Sequence, residues 1–164
     1  MLMKFFLDSS NINEIREANS LGILDGVTTN PSLLAKNGGN VLESIKEICN
    51  IISGPVSVQV LSHTYVDLIE EGKKISEIAE NICVKLPITM DGLKACYELR
   101  KLDIITNMTL CFDSVQALSV ARAGATFVSP FMGRLDDRNP GAGKQLIKEI
   151  REIYDNQLDI ETNI

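Results

Sequence analysis

Short apolar runs rich in Val, Ile and Phe alternate along this chain with longer stretches in which apolar residues recur at helical spacing. Runs of the first kind read as strands covered on both faces, those of the second as amphipathic helices. The alternation predicts repeated βα units around a parallel sheet. Six units are legible. Strands are predicted near residues 4–7, 26–28, 56–60, 82–86, 104–107 and 126–129, and helices near 11–20, 41–52, 64–79, 90–100, 114–123 and 143–156. Asp8-Ser9-Ser10-Asn11 offers capping side chains to the first helix, and Thr89 stands before the helix that opens at Met90. Gly54-Pro55 and Asn139-Pro140-Gly141 punctuate connections. No linker or change of composition divides the chain, so residues 1–164 are expected to form one domain of the α/β class.

The polar residues follow the same period. Asp8, Asn30, Gln59, Lys85, Asn107 and Ser129 each sit at or near the end of a predicted strand, with successive spacings of 22, 29, 26, 22 and 22 residues. In a parallel barrel the carboxyl ends of the strands converge on one mouth, where active sites of that architecture lie. A doubly wound sheet would spread the same residues along a crevice. A lysine, a carboxylic acid and several amides delivered one per unit therefore predict a fold of the parallel (β/α)8 TIM-barrel type, with about six of the eight units in this chain.

Composition narrows the function. Sixteen basic against 22 acidic residues give a net charge of −6, and no basic cluster tracks along a predicted face. Nucleic-acid binding by phosphate neutralisation is therefore not expected. The apolar run before Asp8 is too short for a signal peptide, and no stretch approaches the ~20 apolar residues of a membrane span, which predicts a cytoplasmic protein without a membrane partner. Cys49, Cys83, Cys96 and Cys111 lie far apart in apolar surroundings and read as reduced, buried thiols. With His63 as the single histidine and no Asp/Glu cluster at ligand spacing, no metal is expected, and no other cofactor is implied.

Lys85, inside Cys83-Val84-Lys85-Leu86, is the sharpest anomaly, because a strand covered on both faces seldom carries a lysine that is neither paired nor functional. It either marks an exposed edge with its ammonium in water or is a desolvated amine able to attack a ketone and form an imine. Asp8 is either a proton acceptor at the mouth or a helix cap. Gly26-Val27-Thr28-Thr29-Asn30-Pro31-Ser32 is a polar, turn-forming run that could be an ordinary loop. Gln59, in a Val-rich strand, is a buried amide in need of partners. Asn107 and Thr109, two residues apart, share a strand face. Arg134 could clamp a phosphate or merely pair with Asp136 or Asp137. Gly38-Gly39 and Gly141-Ala142-Gly143 match no dinucleotide or P-loop pattern.

Together the segments FFLDSS, DGVTTNPSLL, NICVKLPIT with DGLKAC after it, ITNMTLCF and AGATFVSPFMGRLDD resemble the small transaldolase and fructose-6-phosphate aldolase family, in family order from residue 4 to about 138. The resemblance implies a (β/α)8 barrel enzyme, a transferase of the non-oxidative pentose phosphate pathway. It would move a dihydroxyacetone unit from a ketose phosphate to an aldose phosphate through a lysine Schiff base. By position, Lys85 would be the imine lysine and Asp8 the carboxylate that handles the proton of carbon–carbon cleavage. Thr29, Asn30 and Asn107 would bind ketose hydroxyls, Thr109 would hold a proton-relaying water, Ser129 would line the site and Arg134 would contact the sugar phosphate.

Three features depart from the family pattern or divide its branches. Gln59 matches the aldolases, where transaldolases of this kind carry glutamate. Phe131 matches the transaldolases, where the aldolases carry a tyrosine that manages the catalytic water. The surrounding segments read as the transaldolase branch, so transaldolase is the favoured expectation, with fructose-6-phosphate aldolase as its alternative. Finally, residues 158–164 read as the approach to a seventh strand, after which the family expects about two more units. An open six-stranded sheet leaves two unpaired edges. A fragment, a barrel closed by partner chains in a homo-oligomer, a non-catalytic remnant and a sugar-phosphate binding domain therefore stand as further expectations.

Overall fold

Each of six strands lies beside the one that precedes it in sequence, which is the arrangement that right-handed βα connections of similar length produce. The structure is a computed structural model that describes residues 3–36, 40–157 and 159–164. The strands are β1 (Phe6–Asp8), β2 (Gly26–Thr28), β3 (Val56–Gln59), β4 (Ile82–Pro87), β5 (Thr106–Cys111) and β6 (Phe127–Pro130), all paired in parallel. The helices are α1 (Ile12–Ser20), α2 (Pro31–Lys36), α3 (Val41–Ile51), α4 (Tyr65–Ser76), α5 (Met90–Arg100), α6 (Ser114–Ala123), α7 (Met132–Asp136) and α8 (Ala142–Asp155).

Strand alternation sorts the side chains into two layers. Val27, Val56, Val58, Ile82, Val84, Leu86, Met108 and Val128 are buried and pack in one core with Ile15, Ile48, Leu68, Leu99, Val120 and Ile150 from the helices. The opposite face is the interior of the curl. There the Phe6 and Phe127 rings, from the first and last strands of the sheet, meet edge to face with centroids 5.4 Å apart. Contact between the outermost strands requires the sheet to bend back on itself. Gly26 makes room for this plug, since a Cβ there would lie 2.3 Å from the Phe6 ring. Six βα units thus form a curled half-barrel, part of a (β/α)8 barrel. Beside β6, Asn163 forms an isolated parallel bridge with Phe127: Val128 N–H donates to the Asn163 carbonyl at 2.9 Å, and Asn163 N–H donates to that of Thr126 at 2.9 Å.

Several boundaries differ from the expectation. The fifth strand, predicted at 104–107, runs from Thr106 to Cys111. Ile104 instead closes the turn after α5, donating to the Leu99 carbonyl at 3.1 Å, with Asp103 at φ +58°. Leu110 sits at φ +67° where the β5–β6 register shifts between Thr109 and Cys111, a bulge at the mouth. Two short helices, α2 and α7, have no counterpart in the predicted elements, because five or six residues carry too little periodicity. Asn30-Pro31 did carry a signal for α2: Asn30 Oδ1 accepts from Leu33 N–H at 3.0 Å, with Pro31 at the first helical position. The Gly38-Gly39 pair lies outside the described residues. Among the described residues no helix is long and apolar enough to cross a membrane.

Candidate active site

Two-residue periodicity and the parallel register bring the strand-end polar residues onto the interior face. Gln59 lies opposite Lys85, Lys85 opposite Asn107, Thr109 opposite Ser129, and Asp8 opposite Thr28. Lys85, in the middle of β4, is only 7% exposed, and its ammonium donates to the Thr29 carbonyl at 3.2 Å. Burial lowers its pKa below the ordinary lysine value, while the charge of Asp8 and, to a smaller extent, Cys83 oppose the shift. The Asp8 carboxylate stands at the open end of β1 and accepts from the Thr28 hydroxyl at 2.8 Å.

Asn107 is held from both sides. Its Nδ2 donates to Ser57 Oγ at 3.0 Å, and its Oδ1 accepts from Ser129 Oγ at 2.8 Å. Thr109 is 2% exposed, and its hydroxyl is the one buried side-chain oxygen or nitrogen without a partner among the described residues. Burying a hydroxyl without a hydrogen bond costs about 1–3 kcal/mol, so this one calls for a water or ligand. Gln59 is half-buried beside Lys85, and its amide makes no hydrogen bond within the described chain. Above Thr109 and Ser129, the Phe112 and Phe131 rings meet edge to face at 5.5 Å.

Other sequence-predicted residues sit further from the lysine or engage elsewhere. Thr29 contributes a carbonyl to Lys85, while its own buried hydroxyl donates to the Ser57 carbonyl at 2.8 Å. The Asn30 amide oxygen caps α2. Arg134, on α7, is exposed and lies 3.9 Å from Asp137, the pairing weighed above as the plainer role. Asp136 instead accepts from Gly141 and Gly143 N–H, at 3.1 and 2.8 Å. The sequence assigned no site role to Ser57, Thr28 or Cys83, although Thr28 falls in the polar run from Gly26 to Ser32 and Cys83 is legible as a buried thiol. Each lies two residues before or directly across from a residue already singled out, so alternation within the strand was the available signal.

All four cysteines are free and buried. Desolvation pushes the Cys83 thiol up to about 12 and those of Cys49 and Cys111 to about 11, and raises Cys96 as well. No group of three or more His, Cys, Asp or Glu side chains gathers as a metal site among the described residues. Grooves between α6 and α8, α1 and α3, and α4 and α5 lie on the helical outside, away from Lys85.

A parallel βα half-barrel with a buried lysine among amides and hydroxyls at its carboxyl-end mouth defines an α/β protein of the barrel type. The family model described as Transaldolase/Fructose-6-phosphate aldolase matches residues 5–164, so the chain belongs to that family, enzymes of the class I aldolase and transaldolase type. Probable transaldolases from Brucella ovis and Parvibaculum lavamentivorans are each 56% identical over 162 residues, and one from Bartonella tribocorum is 54% identical. In each case 99% of this chain and 74% of the relative are covered. Among solved structures, a 2,3-dimethylmalate lyase of the PEP mutase/isocitrate lyase superfamily matches with a TM-score of 0.60 at 12% identity. That match covers 90% of this chain and 62% of the lyase, and it speaks to fold alone.

Proposed function

We propose that this protein is a transaldolase that carries a dihydroxyacetone unit from a ketose phosphate to an aldose phosphate as an imine on Lys85. The observation that carries the reading is a lysine buried at the mouth of the half-barrel with its pKa lowered by burial, which favours the neutral, nucleophilic amine. The Lys85 nitrogen adds to the ketose C2 carbonyl, and loss of water with uptake of one proton from solvent leaves a protonated imine. Asp8 takes the proton of the C4 hydroxyl as the C3–C4 bond breaks. The bonding electrons pass to the imine, giving an enamine on Lys85 and releasing an aldose phosphate. The enamine adds to an acceptor aldehyde, Asp8 returns the proton and water hydrolyses the new imine. The unpartnered Thr109 hydroxyl fits the holder of the water that enters and leaves, and Gln59 stands across from Lys85. Asn30, Asn107 and Ser129 would bind donor hydroxyls and Phe131 would wall the mouth, while Thr29, whose hydroxyl is turned into the sheet, would serve through its carbonyl at Lys85.

The protein is incubated with fructose 6-phosphate and borohydride, and its intact mass is compared with that of Lys85→Met. A dihydroxyacetone adduct that requires Lys85 is expected. Its absence from a folded sample would leave a non-catalytic or purely sugar-phosphate-binding barrel. Gln59 favours a second reading, fructose-6-phosphate aldolase, since an amide cannot exchange a proton as a glutamate would. Transfer predicts product only when an acceptor aldose phosphate is added; steady glyceraldehyde 3-phosphate release without acceptor would favour cleavage. Arg134, exposed and held only by a long ion pair, is the proposed phosphate contact. Arg134→Ala should raise KM for phosphorylated donors about tenfold or more and leave unphosphorylated dihydroxyacetone nearly unaffected. Family membership also supports the proposal of a single-domain chain that acts in the cytoplasm, in the non-oxidative pentose phosphate pathway, as a homo-oligomer. Analytical ultracentrifugation tests the assembly.

A further inference from the structure

Beneath the lysine, one residue ties β3 to β5 through its side chain and to the end of β2 through its backbone. Ser57, on β3, is 1% exposed. Its hydroxyl oxygen accepts from Asn107 Nδ2 at 3.0 Å, across the interior on β5. Its backbone carbonyl receives both the Thr29 hydroxyl at 2.8 Å and the Thr29 N–H at 3.0 Å. Thr29 in turn presents its carbonyl to Lys85 at 3.2 Å. An asparagine amide can rotate by half a turn at little intrinsic cost, and only its partners decide where the donor and acceptor ends point. Here Ser57 fixes the donor end of Asn107 and Ser129 the acceptor end.

We propose that Ser57 is a positioning residue: through the Asn107 amide it sets the enzyme's preference for ketose donors that carry a second hydroxyl beside the carbonyl. The inference rests on the Schiff-base reading above, and it concerns how the site selects its donor rather than whether the imine forms. With Ser57 in place, the Asn107 amide is presented in one orientation to a donor hydroxyl. Without it, Nδ2 loses its buried acceptor and the amide samples orientations that no longer match that hydroxyl.

The test compares borohydride trapping of dihydroxyacetone, which has a hydroxyl on both sides of the carbonyl, with that of hydroxyacetone, which lacks one. It is run on wild type, Ser57→Ala, Asn107→Ala and the double variant. Wild type should trap dihydroxyacetone in preference, and Ser57→Ala should lose about tenfold of that preference, the effect of one misaligned hydrogen bond. The double variant should lose no more than Asn107→Ala alone, because a residue that acts through another has nothing left to position once its partner is gone. A structural role would lower thermal stability and leave the ratio of the two donors unchanged. If Ser57→Ala does not fold, Ser57→Cys keeps the buried volume and replaces a strong acceptor by a weak one, with the same expected loss. Unchanged preference in a folded Ser57 variant, or multiplicative losses in the double variant, would overturn the inference alone. Failure of wild type to trap either ketone would overturn the Schiff-base reading and this inference with it.

Discussion

The unusual energetics of the site are concentrated in Lys85. Its native pKa lies below the ordinary 10.5 because burial penalises the ammonium more than Asp8 stabilises it. Between those two values the unfolded chain binds more protons than the native one, so stability rises with pH through that window and the burial penalty is felt below it. Lys85→Met removes a buried charge and keeps most of the volume. It is therefore expected to abolish trapping while raising the melting temperature by about 2–4 °C, the shift that 1 kcal/mol produces in a chain of this size. Differential scanning calorimetry checks the sign. Asp8→Asn removes the main contribution that raises the lysine pKa, so the pH midpoint of borohydride trapping should move lower; a midpoint that moved up would contradict the assigned coupling. The raised thiols of Cys49, Cys83, Cys96 and Cys111 leave almost no thiolate near neutrality. Iodoacetamide at pH 8 should modify none of the four in the native protein and all four in guanidinium, as read by mass spectrometry.

Elements are placed by their ends. Thr89 caps α5, accepting from Gly92 N–H at 2.9 Å, and the helix is seated against the exit of β4, the strand that carries Lys85. A Cβ on Gly92 would lie 2.0 Å from the Pro87 carbonyl oxygen, a backbone atom that cannot step aside. Gly92→Ala should therefore cost about 1–3 kcal/mol by overpacking, despite alanine's better helix propensity, and should lower trapping at Lys85 as the end of β4 shifts. A denaturant titration would expose the failure of this reading if the variant proved more stable than wild type. The longer helices and β2 were legible from period and punctuation, and α5 and α6 match the predicted bounds. The extent of β5 was not legible. Ile104 reads as strand but is drawn into the turn behind α5, whereas the Ile105 carbonyl already accepts from Val84 N–H on β4, and the bulge at Leu110 carries pairing on to Cys111.

Across the whole molecule, charge contributes little to holding the half-barrel together. The described ion pairs, such as Arg16–Glu47 at 3.0 Å and Lys101–Glu98 at 2.9 Å, join exposed side chains, and exposed pairs contribute about 0–1 kcal/mol each. Raising NaCl from about 0.02 to about 0.5 M should move the melting temperature by no more than about 2–3 °C. A larger fall would mean that electrostatics, rather than the shared strand–helix core, carries the stability.

What the amino-acid sequence determined by itself was periodic and local: six βα units, their parallel order, the converging polar residue at each strand end, and the motifs that place the chain in its family. These follow from spacing, because apolar alternation fixes which residues face the helices and unit length fixes the return to the same rim. The tertiary structure decided what depends on neighbours far along the chain. It set the burial of Lys85 against the Thr29 carbonyl 56 residues away, and it directed the Thr29 hydroxyl into the sheet while leaving that of Thr109 without a partner. It also placed Ser57 under Asn107. Side-chain orientation, desolvation and hydrogen-bond partnership arise only once the curl brings non-adjacent strands together, and no single strand encodes them.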